Sequence, residues 1–228
     1  MATLWIPLES NPDVLTKYIH ELGVSDEWCL TDVMGLEPDM LEWVPKPVKA
    51  MILLFPCSEA YEQHRREENE RLLSSPETHP DDLFYMRQCT PNACGTVALI
   101  HSIANAKGIQ LKDGILKNFL ENVSDMTPEK RGEALENDKK FSEGHQSLAQ
   151  EGQTPADPNT KVFHHFVAIV NKGDVLYELD GRKQFPVKHG DTSEETFVAD
   201  AAKVCKEFMK RDPSELRFTV LALAAAQD

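Results

Sequence analysis

The stretch QCTPNACGTVALIHSIANAK, residues 88–107, sets a thiol at the start of an apolar helix. Positions 97–100, 103 and 104 are all apolar, which is typical of a buried central helix rather than an amphipathic surface helix. Pro91 and Asn92 mark its expected beginning. Cys94 then lies in the first turn, where unpaired amides and the helix dipole stabilise a thiolate. The stretch predicts the central helix of the fold and a candidate nucleophile.

Gln88 precedes this cysteine by six residues and is a second candidate for chemistry. Its side-chain amide and the backbone N–H of Cys94 are suitable donors to one developing oxyanion. A plainer interpretation of Cys94 stays open at this point, because free cysteines are often ordinary core residues.

The length and the cysteines limit the class of protein. A chain of 228 residues without a linker or internal repeat suits a single domain spanning residues 1–228. The five cysteines are odd in number and contain no CxxC pair, so neither a disulfide framework nor a zinc site is expected. Apolar runs are too short to span a bilayer, and the first residues lack signal-peptide features. We therefore expect reduced thiols and a cytoplasmic location.

The charge balance narrows the choice of partner. Thirty-eight acidic and 24 basic residues give a formal net charge of −14, which disfavours nucleic acids and anionic membranes. A basic partner fits this charge better. The alternative is that the acidic surface only keeps the protein in solution.

The remaining chain reads as helices first and several strands later, an α+β arrangement. Residues 12–22 form one amphipathic helix, capped by Ser10 and ended by Gly23. The apolar run at 48–55 predicts a central strand, and Ser58 opens a highly charged helix that we expect to lie in solvent. Further strands are predicted at 162–170, 174–180 and 216–224.

Residues 141–160 contain glycine and proline and almost no large apolar side chains. Neither a helix nor a core strand is expected there. A structureless segment of this length within a compact domain is often a functional lid, although an insertion without function is the alternative.

The two strands at 162–180 predict a base and its orienting partner for the thiol. With Lys172 and Gly173 as the central turn residues, His165 lies directly opposite Asp180 on one face of the hairpin. His164 then faces the other way. A thiol nucleophile needs such an imidazole, and the imidazole needs such a carboxylate.

Several motifs in order resemble the ubiquitin C-terminal hydrolase family, and most closely its short members without a C-terminal extension. The motifs are LWIPLESNP at 4–12, Gln88 with NACGT at 92–96, EGQT at 151–154, HHFVAIV at 164–170, LYELDGRKQFPVKHG at 176–190 and DPSELRFTVLALAAA at 212–226. The resemblance spans essentially the whole chain.

This resemblance implies cysteine-protease catalysis with Cys94 as nucleophile, His165 as general base and acid, Asp180 as its orienting partner and Gln88 in the oxyanion hole. It also implies a papain-like fold with a mostly antiparallel central sheet, flanking helices and a knotted backbone. Residues 141–160 correspond to a crossover loop over the active site.

The implied substrate is ubiquitin that carries a small or flexible adduct on its basic C-terminal tail. Glu9, Asp32 and Asn92 match positions that contact the substrate. The resemblance implies no cofactor or metal and a monomer. Two alternatives stay open: a binding module that holds free ubiquitin, and a redox-sensing thiol for which Cys89 is the nearest resolving candidate.

Overall fold

The structure is a computed structural model that describes residues 5–151 and 163–227. The strands in these ranges are β1 (Trp28–Asp32), β2 (Val48–Pro56), β3 (His164–Lys172), β4 (Val175–Leu179), β5 (Val187–Asp191) and β6 (Thr219–Ala225). The helices are α1 (Pro12–Leu22), α2 (Pro38–Leu41), α3 (Glu59–Ser74), α4 (Cys94–Asn105), α5 (Ile115–Asn122), α6 (Pro128–Asn137), α7 (Lys139–Ala149) and α8 (Phe197–Arg211).

The strands form a single six-stranded sheet in the order β1-β6-β2-β3-β4-β5, with every pairing antiparallel. This architecture confirms the predicted α+β class and the central position of the apolar run that became β2. The short strand β5 was not predicted. The knotted backbone implied by the family resemblance stays a prediction.

Helices cover both faces of the sheet, which explains why β2 is apolar at nearly every position. Ala50 and Ile52 pack into a core with α1 and α4, whereas Met51 and Leu53 pack into a second core with α8. Cys205 of α8 is fully buried in that second core.

Helix α4 is the buried central helix that the first stretch predicts. Every residue from Gly95 to Ile103 is buried, so the helix has no solvent-facing side over that length. The helix begins at Cys94, and its N-cap Ala93 provides no side-chain hydrogen bond to the first amides. Some of those amides are therefore left for other acceptors.

The first helix is confirmed, with one correction at its start. Its N-cap is Asn11 rather than Ser10, because the Asn11 side chain accepts hydrogen bonds from the amides of Asp13 and Val14. Gly23 ends the helix with φ 110°, a backbone conformation that glycine adopts without strain.

The prediction that residues 141–160 lack a helix is wrong for the first part of the segment. Helix α7 runs through it as far as Ala149, capped by Asp138, and it buries Phe141, His145 and Leu148 on one face. His145 occupies a core position where a large apolar side chain would be expected. It can be buried there because its two ring nitrogens are hydrogen-bonded to Thr96 and to the carbonyl of Ile6. Positions 152–160 of the predicted crossover loop lie outside the described residues.

The hairpin of β3 and β4 is confirmed, but its predicted register is wrong by two residues. Lys172 pairs with Val175, so the central turn residues are Gly173 and Asp174, both with positive φ. Ladder pairing ends at Ala168 and Leu179, so Asp180 follows the end of β4. Because side chains alternate with a period of two, the shift keeps Asp180 on the face predicted for His165.

Across the described ranges, none of the helices combines the length and the apolar character needed to cross a bilayer.

Candidate active site

A cleft of about 390 Å³ opens where the start of α4 meets the start of β3. Cys94 and His165 both line it, and Gln88 and Asn92 lie beside them. His164 and Arg182 complete the part of the lining that bears on chemistry. The structure thus brings two distant predicted elements to one cleft.

Within this cleft the predicted imidazole and carboxylate are in direct contact. His165 Nε2 lies 2.6 Å from Asp180 Oδ1, and both side chains are buried. The same carboxylate oxygen accepts from the backbone N–H of Arg182 at 2.8 Å. Since Nε2 is used by Asp180, Nδ1 is the ring nitrogen left for the Cys94 thiol.

The electrostatics of Cys94 favour the thiolate. Burial alone would raise the pKa of the Cys94 thiol, but its hydrogen bond to His165 and the charge of that ring outweigh burial. The backbone amides of Phe166 and Gly95 add to the effect, and the pKa falls below its ordinary value. The amide of Gly95 belongs to the first turn of α4, as expected for a thiol at a helix start.

The pKa of His165 shifts in the opposite direction from that of Cys94. Burial would lower the pKa of His165, but the charge and the hydrogen bond of Asp180, together with Cys94, raise it to about 9. Burial likewise opposes ionisation of Asp180, yet His165 holds the pKa of that carboxyl well below its usual range. The shifts of all three pKa values therefore favour the charged forms, which are thiolate, imidazolium and carboxylate.

Gln88 lies next to both Cys94 and the turn that follows Asp180. Its backbone N–H donates to the carbonyl of Gly181 at 2.8 Å, and its side-chain Nε2 donates to the carbonyl of Thr90 at 3.0 Å. A Cβ on Gly181 would stand 3.0 Å from Gln88 Cβ, so glycine permits this close approach. An amide Nε2 carries two hydrogens, so a second donor remains for an oxyanion.

The three predicted substrate-contacting residues differ in their surroundings. Asn92 lies in the cleft, but its side-chain Nδ2 donates to the carbonyl of Trp5 at 3.1 Å, which ties the N-terminal segment to the start of α4. Asp32 is exposed at the end of β1, and Glu9 is half-buried and interacts with its surroundings. The three residues do not form one cluster in the cleft lining.

Two tyrosines that the sequence did not point to support the site from behind. Tyr61 donates to Asp180 Oδ2 at 2.8 Å, and the hydroxyl of Tyr85 lies 2.6 Å from the carbonyl of Asp180. Tyr61 belongs to α3, which is largely exposed as predicted but buries this residue and Leu72. One sequence feature could have indicated that Tyr61 is buried: it is an isolated aromatic residue, three positions after the Ser58 cap, in an otherwise highly charged helix.

A buried ionic cluster lies next to the same turn. Lys183 is 2% exposed and binds the carboxylates of both Glu68 and Glu178. Glu178 also bonds to His189 Nε2 at 3.0 Å. Among the residues described, no group of three or more His, Cys, Asp or Glu side chains is arranged to hold a metal ion.

The sequence profile described as ubiquitin carboxyl-terminal hydrolase, family 1, matches residues 5–210 of the chain. The chain belongs to this family. The family resemblance read from the ordered motifs is confirmed, and with it the prediction of a thiol-dependent deubiquitinating hydrolase.

Relatives that align over nearly the whole chain are also ubiquitin carboxyl-terminal hydrolases. A ubiquitin carboxyl-terminal hydrolase of Drosophila melanogaster is 68% identical over 223 residues, which cover 98% of each chain. The human ubiquitin carboxyl-terminal hydrolase isozyme L1 is 42% identical over 222 residues, 96% of this chain and 98% of that one.

A solved structure shares the architecture. The catalytic domain of Trichinella spiralis UCH37, bound to ubiquitin vinyl methyl ester, superposes with a TM-score of 0.78 at 25% identity. The superposition covers 97% of this chain and 96% of that domain. The family fold is therefore present across the described residues.

Proposed function

We propose that Cys94, His165 and Asp180 are the catalytic triad of a hydrolase that cleaves the bond after the terminal glycine of ubiquitin. The observation that carries this proposal is the buried contact of 2.6 Å between His165 and Asp180 beside the Cys94 thiol, at the edge of an open cleft. A binding module would need none of the three residues.

In the first half of the reaction the Cys94 thiolate attacks the carbonyl carbon of the terminal glycine. The electron pair of the carbonyl moves to oxygen, and the intermediate collapses as His165 gives its proton to the departing amine. A thioester between Cys94 and ubiquitin remains. In the second half His165, now neutral, takes a proton from water, the hydroxide attacks the thioester, and the thiolate is released.

Gln88 is the proposed side-chain donor to the oxyanion. Its Nε2 and the Cys94 backbone N–H would both stabilise negative charge on the glycine oxygen. The buried Oε1 of Gln88 has no hydrogen-bond partner among the described atoms. Because an amide oxygen only accepts, it cannot bond to an oxyanion, and the proposed role belongs to the Nε2 donor alone.

Ubiquitin is the proposed substrate, and its basic tail complements a chain with a net charge of −14. We propose Glu9 and Asp32 as contacts on the ubiquitin side and Asn92 as a residue that shapes the cleft. The buried part of such an interface supplies most of the affinity, whereas exposed charges such as Asp32 act mainly on the association rate.

The segment that follows α7 is proposed to restrict the adduct to small or flexible groups. The support for this step is the composition of residues 150–160, rich in small and polar residues and proline, together with the family resemblance. Helix α7 anchors the preceding chain through buried Phe141 and Leu148. The five cysteines are all free thiols, which supports the cytoplasm as the site of action.

A fluorogenic ubiquitin C-terminal amide tests the proposed function. Cys94→Ala should abolish turnover and labelling by ubiquitin vinyl methyl ester while ubiquitin still binds. Cys89→Ala is the matched control, because Cys89 is exposed and does not line the cleft, and the pKa of its thiol is raised by partial desolvation and by its acidic neighbours. Turnover by Cys94→Ala, or a comparable loss in Cys89→Ala, would contradict the assignment. Absence of turnover in the unaltered protein would favour the ubiquitin-holding alternative.

A further inference from the structure

Helix α3 brings a buried phenol to the second oxygen of Asp180. Tyr61 donates to Oδ2 at 2.8 Å, whereas Oδ1 accepts from His165 and from the Arg182 backbone N–H. We propose that Tyr61 is a positioning residue for hydrolysis, which fixes the Asp180 carboxylate so that the carboxylate can fix the His165 ring. This inference rests on the role proposed for Asp180.

The ring of Tyr61 is itself held in place by packing. Tyr61 is 2% exposed, and its ring lies edge-on to Phe55 with 4.4 Å between centroids. Phe208 stacks on Tyr61 at 6.1 Å and contacts Phe55 at 4.9 Å. Since the ring cannot turn freely, the position of its hydroxyl oxygen is set before substrate binds.

The same aromatic cluster reaches the imidazole. Phe55 contacts Tyr61 on one side and meets the His165 ring edge-on at 5.8 Å. Tyr61 and His165 are therefore linked twice, through the Asp180 carboxylate and through Phe55. A change at Tyr61 that keeps the ring and removes the hydroxyl separates these two links.

No other described side chain donates to Asp180 Oδ2. The Arg182 guanidinium is directed to Glu62 at 2.6 Å and to the Cys57 sulfur at 3.1 Å. Lys183 acts on Asp180 through its charge while its Nζ binds two other carboxylates. The groups facing Asp180 are His165 from β3, Tyr61 from α3, Cys57 from the segment between β2 and α3, Arg182 and Lys183 from the turn after β4, Tyr85 from the segment before α4, and His101 from α4.

Loss of the phenol would leave Oδ2 buried without a donor. The carboxylate would then hold the His165 proton more tightly, because an anion with fewer hydrogen bonds is more basic. It would also be freer to rotate. Delivery of the proton to the leaving amine should slow, and the pH at which His165 loses its proton should rise. Substrate affinity should not change, since Tyr61 does not line the cleft.

Tyr61→Phe measures this effect on the fluorogenic ubiquitin amide. We expect kcat to fall about tenfold, KM to stay within about twofold, and the alkaline limb of the pH profile to move to higher pH. Tyr18→Phe is the matched control, because Tyr18 is equally buried and its hydroxyl lies 3.3 Å from the neutral Thr96. A Tyr61→Phe variant that only melts at lower temperature, with kcat and pH profile unchanged, would overturn the inference.

A double-mutant comparison separates this inference from the proposed triad. In an Asp180→Asn background, Tyr61→Phe should have no further effect on kcat, because there is no longer a carboxylate to position. Independent, multiplicative losses would overturn the role of Tyr61 and leave the triad in place. Full kcat in Asp180→Asn alone would overturn the triad itself and, with it, the role of Tyr61.

Discussion

The carbonyl oxygen of Arg87 lies so close to Gly132 that a Cβ on this glycine would stand 2.1 Å from it. The same Cβ would stand 2.6 Å from the Cys89 sulfur. Helix α6 therefore packs with its backbone directly against the segment that carries Gln88, and the backbone N–H of Arg87 donates to Pro128 of that helix at 2.9 Å.

Gly132→Ala should push this segment away from α6. We expect a loss of about 1–3 kcal/mol in the free energy of unfolding, since the added methyl meets backbone that cannot give way. We also expect a lower kcat, because Gln88 moves with the segment. Gly144→Ala in α7 is the control: its Cβ would lie 3.4 Å from Tyr18, an ordinary contact, so stability should be unchanged or higher. Urea unfolding and turnover of the ubiquitin amide measure both effects.

The two adjacent histidines should differ strongly in their contribution to rate. His165→Ala should lower kcat by about 10²- to 10⁴-fold, because it removes the general acid and base. His164→Ala should lower it far less, since His164 lines the cleft without a hydrogen bond to Asp180. Steady-state rates in the reverse order would show that the triad is misassigned.

The pH dependence of kcat/KM should follow the shifted pKa values of Cys94 and His165. The pKa of His165 is raised to about 9 and that of Cys94 is lowered, so the thiolate and imidazolium coexist between the two. Activity should therefore persist above neutral pH and fall as pH rises through about 9, where His165 loses its proton. On the acid side it should fall as the thiolate is protonated. An alkaline limb near pH 6.5, the ordinary range of histidine, would contradict the stabilisation by Asp180.

Removing the buried positive charge of Lys183 should strongly destabilise the folded protein. Lys183→Met leaves the carboxylates of Glu178 and Glu68 without their shared partner, and Glu178 is fully buried. We expect a loss of about 3–5 kcal/mol in the free energy of unfolding. Lys210→Met, which removes an exposed pair with Glu207, should leave the melting temperature unchanged. Equal effects of the two substitutions would mean that the buried cluster is fully solvated.

Substrate size should depend on the segment between α7 and β3. A flexible Gly/Ser insert within positions 152–160 should allow faster cleavage of di-ubiquitin while leaving the small ubiquitin amide unaffected, because doubling a loop costs only about 0.6 kcal/mol. Both substrates are compared for the unaltered chain and the insert. If the unaltered chain already cleaves di-ubiquitin as fast as the amide, the segment does not select by size.

The elements that could be predicted from sequence are those whose signal is local. Strand β2 is an almost continuous apolar run between two prolines, and helix α4 is apolar at most positions, so the length and the flanking residues of each run indicate its type and burial. The prediction that His165 contacts Asp180 was right although the predicted register of the hairpin was wrong. The register error was two residues, an even number, so both side chains stayed on the predicted face. An odd error would have placed the two side chains on opposite faces.

Helix α7 and Tyr61 were missed because their partners are distant in sequence. The face of α7 is completed by a histidine whose bonds reach back 49 residues to Thr96 and 139 to Ile6. Tyr61 bonds to a carboxylate 119 residues away. A polar or isolated aromatic residue reads as solvent-facing until such partners are known, since burial of a polar group depends on its satisfaction.

The position of β6 between β1 and β2 has a consequence for the nascent chain. Synthesis proceeds from the N terminus, so both neighbours emerge long before the strand that joins them. Until then the apolar edge of β2 has no partner on that side, and an unpaired edge of this kind invites association with other chains. Folding of the sheet is consequently a late and non-local event, which favours slow completion.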